Sequence, residues 1–291
     1  MSSGANYILS KQALWAKRKG IELIGSKGER GFPAYTQQLD ENLFEPMADE
    51  ARNSFEHGDG GELSSEDGTP PKMNAVHSSS ALSVNVFHHW ITSGKASDIA
   101  HACGLCAKQN QTSESITFER KFPISKAFKF PPNVDVVIEN NIKSPYKAYA
   151  IECKFSEAYS TRKHKGMEHQ YFNSDILPLW KDIPELQKFA KAISPDDREY
   201  QFLHPAQLIK HILGLKRQYG KKAFRLLYLW YDVLGEEGYR HRTEIDKFAE
   251  YAKADDVKFC SISYQELIVS MAKNHYDTNE EYINYLTDRY L

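Results

Sequence analysis

The stretch Ala223 to Asp232 (AFRLLYLWYD) constrains the fold more than any other part of the chain. It is almost continuously apolar, which suits a strand covered on both faces rather than one with a wet side. Helical patterns lie on either side of it. Pro205 to Tyr219 opens on a proline that fits a first helical turn, carries Leu208, Ile212, Leu215 and Tyr219 as its apolar stripe, and stops at Gly220. Residues 236–254 read as a second helix, Val257 to Ser263 as a further strand and 264–273 as a further helix. Alternating strands and helices imply parallel strands joined by helical crossovers, hence an α/β sheet with helices over its faces. The last stretch, from Asn274, can form a short closing helix.

Upstream, Asn133 to Glu157 holds two short apolar runs separated by Asn, Lys, Ser and Pro, the pattern of a β-hairpin. The first run contains Asp135. The second ends in Glu152-Cys153-Lys154. Strand side chains alternate faces, so Glu152 and Lys154 point the same way and Cys153 points into the core. With Asp135 opposite them, two carboxylates and one ammonium would converge. Two carboxylates can hold a hard divalent cation, and a lysine beside them can position a water and help deprotonate it. The plain alternative is a surface ion pair on an ordinary hairpin. Ile116 to Pro123 (ITFERKFP) reads as the preceding strand and brings a third acid, Glu119. Glu139 and Glu157 are secondary acids. Crowded carboxylates repel one another, so without metal they are expected to bind protons more tightly, while Lys154 stays charged.

The rest of the chain frames this hairpin. Residues 7–19 read as a helix, 20–46 as an irregular arm and 47–56 as a short helix. His57 to Pro71 (HGDGGELSSEDGTPP) is the strongest break and reads as a solvated acidic linker. Residues 1–71 are therefore expected to be an N-terminal arm, with an α/β domain over 72–291. Ser78 to Ser80 can cap a buried helix from Ala81 to Trp90, in which Asn85, with His77 just before it, stands among apolar neighbours. Both are secondary site candidates. A further short helix is expected at 96–103, stopped by Gly104. Cys103 and Cys106 lack the second pair that a structural zinc site needs and read as buried thiols. An insert at about 158–200 carries the basic run Arg162, Lys163, His164, Lys165. With Lys210 and Arg217, its Arg162, Lys163 and Lys165 are the candidates for phosphate-backbone contacts.

Composition sets outer limits. A chain of 291 residues with 41% hydrophobic and 26% charged residues can bury a large core. A net charge of −2 argues against a general nucleic-acid coat but leaves room for a local basic groove. There is no apolar run long enough for a membrane span. Four cysteines are too few for a disulfide framework, and a cytoplasmic setting is expected.

Taken together, Glu119 on one strand, Asp135 opening the next, Glu152-Cys153-Lys154 on the third and Gln207 on the following helix resemble the PD-(D/E)XK nuclease superfamily. The resemblance spans roughly residues 77–270. Its departure is Val134 before Asp135, where a proline is usual; Pro131 and Pro132 come slightly earlier. The fold it implies is a restriction-endonuclease-like mixed central sheet flanked by helices, with the irregular and helical N-terminal arm added. It implies Asp135, Glu152 and Glu119 as ligands of Mg²⁺, with Mn²⁺ as a substitute. Lys154 would be the catalytic lysine and Gln207 the helix-borne polar residue. The activity implied is phosphodiester hydrolysis, most naturally of DNA by a restriction or defence endonuclease. Action on branched DNA or RNA, or a non-catalytic binding or assembly role, are the alternatives. Expected partners are nucleic acid, no membrane, and a second copy of the chain as a candidate homodimer.

Overall fold

The computed structural model describes residues 3–27, 30–65, 68–126, 128–160 and 163–291. The helices are α1 (Ser3–Arg18), α2 (Asp49–Glu56), α3 (Ser79–Thr92), α4 (Ala96–Ala102), α5 (Leu177–Trp180), α6 (Pro184–Ala192), α7 (Pro205–Tyr219), α8 (Glu236–Ala254), α9 (Tyr264–His275) and α10 (Glu280–Tyr290). Two short strands in the N-terminal region, β1 (Leu23–Ile24) and β2 (Tyr35–Thr36), pair with each other. The central sheet comprises β3 (Ser113–Lys121), β4 (Asn133–Asn140), β5 (Ala148–Lys154), β6 (Phe224–Trp230) and β7 (Phe259–Ser263), in that order.

β3, β4 and β5 form an antiparallel meander, and β5, β6 and β7 run parallel. The mixed sheet flanked by helices is thus the architecture expected from the sequence. The parallel half follows from the helical crossovers. The return from β5 to β6 runs through the insert and α7, and that from β6 to β7 through α8.

Each face of the sheet carries its own core. On one face Ile116, Val136, Ile151, Cys153 and Leu227 pack with α3, α9 and α10. On the other, Val137, Ala150, Leu226 and Tyr228 pack with α6, α7 and α8. β5 alternates between the two, so it is buried almost along its length and leaves only Lys154 partly open. α7 lies close over the β3–β4 connection because Gly214 has no side chain there. A Cβ at this position would meet the Phe122 carbonyl oxygen at 2.6 Å.

The N-terminal segment, expected as an arm, packs into the first of these cores. Ala5, Ile8, Leu43, Met47, Ala51 and Phe55 all contribute to it. Arg289, 1% exposed on α10, ties the segment down: it donates to Gln12 Oε1 at 2.9 Å and to the Asn42 carbonyl at 2.8 Å, and lies 4.0 Å from the Trp15 ring. The stretch read as a solvated linker also makes fixed contacts. Met73 donates its N–H to the Glu62 carbonyl at 3.0 Å, and Lys121 pairs with Asp59 at 2.8 Å. An acidic, Gly-rich composition marks irregular backbone, but it does not reveal whether that backbone has a surface to lie on.

No helix among the described residues is long and apolar enough to cross a membrane. The cysteines are all free. Burial raises the proton affinity of the Cys103 and Cys106 thiols, which agrees with inert structural thiols.

Candidate active site

Three adjacent strands bring the expected acids to one end of the sheet. Val136 pairs with Ile151, which sets Asp135 beside Glu152. Phe118 pairs with Val136 and Arg120 with Val134, which sets Glu119 beside Asp135. One carboxylate oxygen of Asp135 accepts the Cys153 N–H at 2.7 Å, so the hairpin backbone itself orients the acid.

Glu152 is fully buried, and the Lys154 side chain is only 16% exposed. A surface ion pair is therefore excluded. The Lys154 ammonium sits 2.5 Å from Glu152 Oε1 and pairs with it. The other oxygen, Oε2, meets His211 Nε2 at 2.8 Å. His211 is on α7, one turn beyond Gln207, and is itself buried. The helix-borne polar group that reaches the site is thus His211. Gln207 makes no hydrogen bond to Asp135, Glu152 or Lys154 among the described residues. Sequence spacing carried part of the signal, because positions 207 and 211 share a helix face. Which of the two reached the carboxylate depended on how α7 sits over the sheet.

The electrostatics divide the three acids. Burial and the neighbouring Glu152 charge raise the proton affinity of Asp135 well above the usual carboxylate range. Burial, Glu62 and Glu152 push Glu119 up to about 7. Both follow the expectation for crowded carboxylates. Glu152 does not: burial pushes it up, but Lys154 and His211 outweigh burial and hold it at about 2. Lys154 answers in kind. Burial would lower its proton affinity, yet the Glu152 and Asp135 charges raise it above that of a free lysine.

Glu119 has a left-handed backbone, φ +53°, in the middle of a strand. Such a conformation costs about 1 kcal/mol or more for a residue with a side chain. Its carboxylate is gripped by the Asn133 side-chain amide. Glu62, from the supposed linker, is the second contributor to its raised proton affinity, and Ser80 hydrogen-bonds to Glu62 in turn. Nothing in the local sequence around Glu62 marks it as part of this acidic group. The insert supplies another unforeseen neighbour. His164 and His204 stack with ring centroids 4.7 Å apart, and burial, His164 and Lys154 lower His204 to about 4.

The remaining candidates fall into two groups. Asn85 spends its side chain internally. It donates to the Asn42 carbonyl and the Tyr290 hydroxyl, both at 3.0 Å, and accepts the Phe44 N–H. These bonds tie the N-terminal segment to α10. The His77 carbonyl accepts from Ser156 Oγ at 2.8 Å, just after Lys154, while its ring lies edge-on to Tyr35. Glu157 accepts the Phe155 N–H and so shapes the chain leaving β5. Among the backbone-contact candidates, Lys163 and Lys165 are exposed. Lys210 lies 5.2 Å over the Tyr171 ring, and Arg217 donates to the Pro123 carbonyl at 3.2 Å. Arg162 lies outside the described residues.

Among the described residues, no three His, Cys, Asp or Glu side chains gather closely enough to hold a metal ion. The expected three-carboxylate set is thus not drawn into a finished shell. A pair remains. Glu152 is buried and held ionised, and Asp135 beside it is raised above its usual proton affinity by burial and by the Glu152 charge. One or two carboxylates, completed by water and substrate oxygens, suit Mg²⁺, so this pair fits the ion.

No curated protein and no solved structure gives a significant match to the chain. Residues 9–291 match the family described as Restriction Endonuclease associating with ARP. That match runs through both the N-terminal segment and the sheet, and the chain belongs to this restriction-endonuclease family.

Proposed function

We propose that the chain is a metal-dependent nuclease of the PD-(D/E)XK type that hydrolyses phosphodiester bonds, with DNA as the substrate and restriction or defence as its role. One observation carries the reading: a fully buried glutamate, Glu152, kept ionised by Lys154 and His211 beside a second, proton-hungry carboxylate, Asp135. A cation site needs at least one acid ionised before the ion arrives.

Asp135 and Glu152 would hold the ion, which when bound offsets phosphate charge and lowers the proton affinity of a bound water. Glu119, with its raised proton affinity, would join them only once the site is charged. Lys154 holds its proton too tightly to act as the base in the ion-free state. Its part is to donate hydrogen bonds, orienting the attacking water or a non-bridging phosphate oxygen and countering charge there. The hydrogen bond that His211 makes among the described residues is to Glu152, and its part is to keep that carboxylate ionised and in place.

The test is plasmid cleavage with Mg²⁺, paired with ion binding measured by calorimetry. Lys154→Ala is expected to abolish cleavage while largely preserving ion binding, and Asp135→Ala to lose both. Full Mg²⁺-dependent activity in either variant would overturn the assignment. Cleavage of RNA or branched DNA in preference to plasmid would redirect the substrate.

A further inference from the structure

The connection between β3 and β4, residues 122–132, is anchored more firmly than a passive hairpin turn requires. The Phe122 N–H donates to the Pro132 carbonyl at 2.9 Å and closes its neck. Phe122, Ile124 and Phe128 are buried against α7 and the insert, and Phe128 stacks on Tyr171 with ring centroids 4.3 Å apart. Between and after these anchors the chain presents Lys126, Lys129 and Phe130 to solvent.

Phe130 is 66% exposed, and the Lys129 ammonium lies 5.1 Å from its ring. Among the described residues, neither Lys126 nor Lys129 pairs with a carboxylate, although the chain as a whole is slightly acidic. A single exposed aromatic is ordinary on a protein surface. One held on an anchored loop just after two unpaired lysines is a platform: the ring offers a face for stacking and the ammonium groups fit neighbouring phosphates. Its place matters equally. Phe130 precedes Asp135 by five residues, so the two lie no more than about 18 Å apart along the chain. The loop leaves the sheet at the end where Glu119, Asp135 and Glu152 meet.

We propose that Phe130 is a stacking site for an unpaired nucleic-acid base close to the scissile phosphate, with Lys126 and Lys129 holding neighbouring phosphates. The preferred substrate is then DNA that already exposes a base, as at a bulge, gap or junction, rather than uninterrupted duplex. This rests on the nuclease function above and names the substrate feature that such a site would select.

The experiment uses the full chain in EDTA, so that binding is read without cleavage. The probes are a plain duplex and the same duplex with a single bulged 2-aminopurine. The wild type is expected to bind the bulged duplex about tenfold more tightly and to quench its fluorescence, since base–aromatic stacking has that worth. Phe130→Ala should lose the preference and the quenching while keeping its affinity for plain duplex and its thermal midpoint. Phe130→Trp should restore both. Equal affinity of wild type for the two probes, or an unchanged preference in Phe130→Ala, overturns the stacking site. Mg²⁺-dependent plasmid cleavage by the wild type would leave the nuclease function standing in that case. Failure to bind either probe, with no cleavage on adding Mg²⁺, overturns both.

Discussion

His211 Nε2 and Glu152 Oε2 lie 2.8 Å apart in the buried seam between α7 and β5. This contact joins the helix that follows the insert to the central carboxylate of the site. Removing the imidazole leaves a buried carboxylate oxygen without a partner, which typically costs about 2 kcal/mol. His211→Ala should therefore lower the unfolding free energy measured in urea at neutral pH by that amount, and His211→Gln, which keeps a donor, by less. A wild-type unfolding free energy in His211→Ala would mean that the contact stabilises nothing.

Glu119 makes stability depend on pH in metal-free buffer. Its folded-state proton affinity is raised from 4.5 to about 7. A carboxyl raised on folding contributes stability that is fully present below its unfolded value and lost as pH rises through its folded value. The loss should fall between about pH 4.5 and 7, and after allowance for solvent screening should amount to about 2 kcal/mol. Glu119→Gln should remove that slope and be the more stable protein at pH 8. Denaturant unfolding at a series of pH values measures it directly, and parallel pH profiles for the two proteins would contradict it.

Gly214 sets two effects against each other. Alanine is the better helix former by about 1 kcal/mol in a helix interior. At this position its Cβ would lie 2.6 Å from the Phe122 carbonyl oxygen and 2.8 Å from the Phe122 Cβ, and backbone cannot step aside cheaply. Overpacking of this kind costs about 1–3 kcal/mol, so the clash should win and Gly214→Ala should lower the thermal midpoint. A raised midpoint would show that α7 tolerates displacement from the β3–β4 connection.

Arg289 is a buried cation held by carbonyl, amide and hydroxyl oxygens and by the face of Trp15. Arg289→Ala leaves several of those oxygens without donors and should destabilise the fold by about 3 kcal/mol. Limited proteolysis should then cut first within the N-terminal 45 residues or so, because α1 and the Asn42 turn lose their tie to α10. Unchanged protease resistance would place the hold on that segment elsewhere.

Much of this protein was written locally. The apolar run at 223–232 implied a strand covered on both faces, and β6 is one. The stripe and proline of 205–219 located α7 residue for residue. Two-residue alternation placed Glu152 and Lys154 on one face, because a strand admits no other arrangement. The tertiary structure decided what no local pattern encodes. His211 rather than Gln207 reaches Glu152, because reach depends on the rotation of a helix over a sheet. Glu152 is the ionised member of the acidic group, because Lys154 and His211 close on it from separate elements. Glu62 and the N-terminal segment belong to the packed molecule, because burial depends on what surface awaits a segment, and sequence spacing holds no record of that surface.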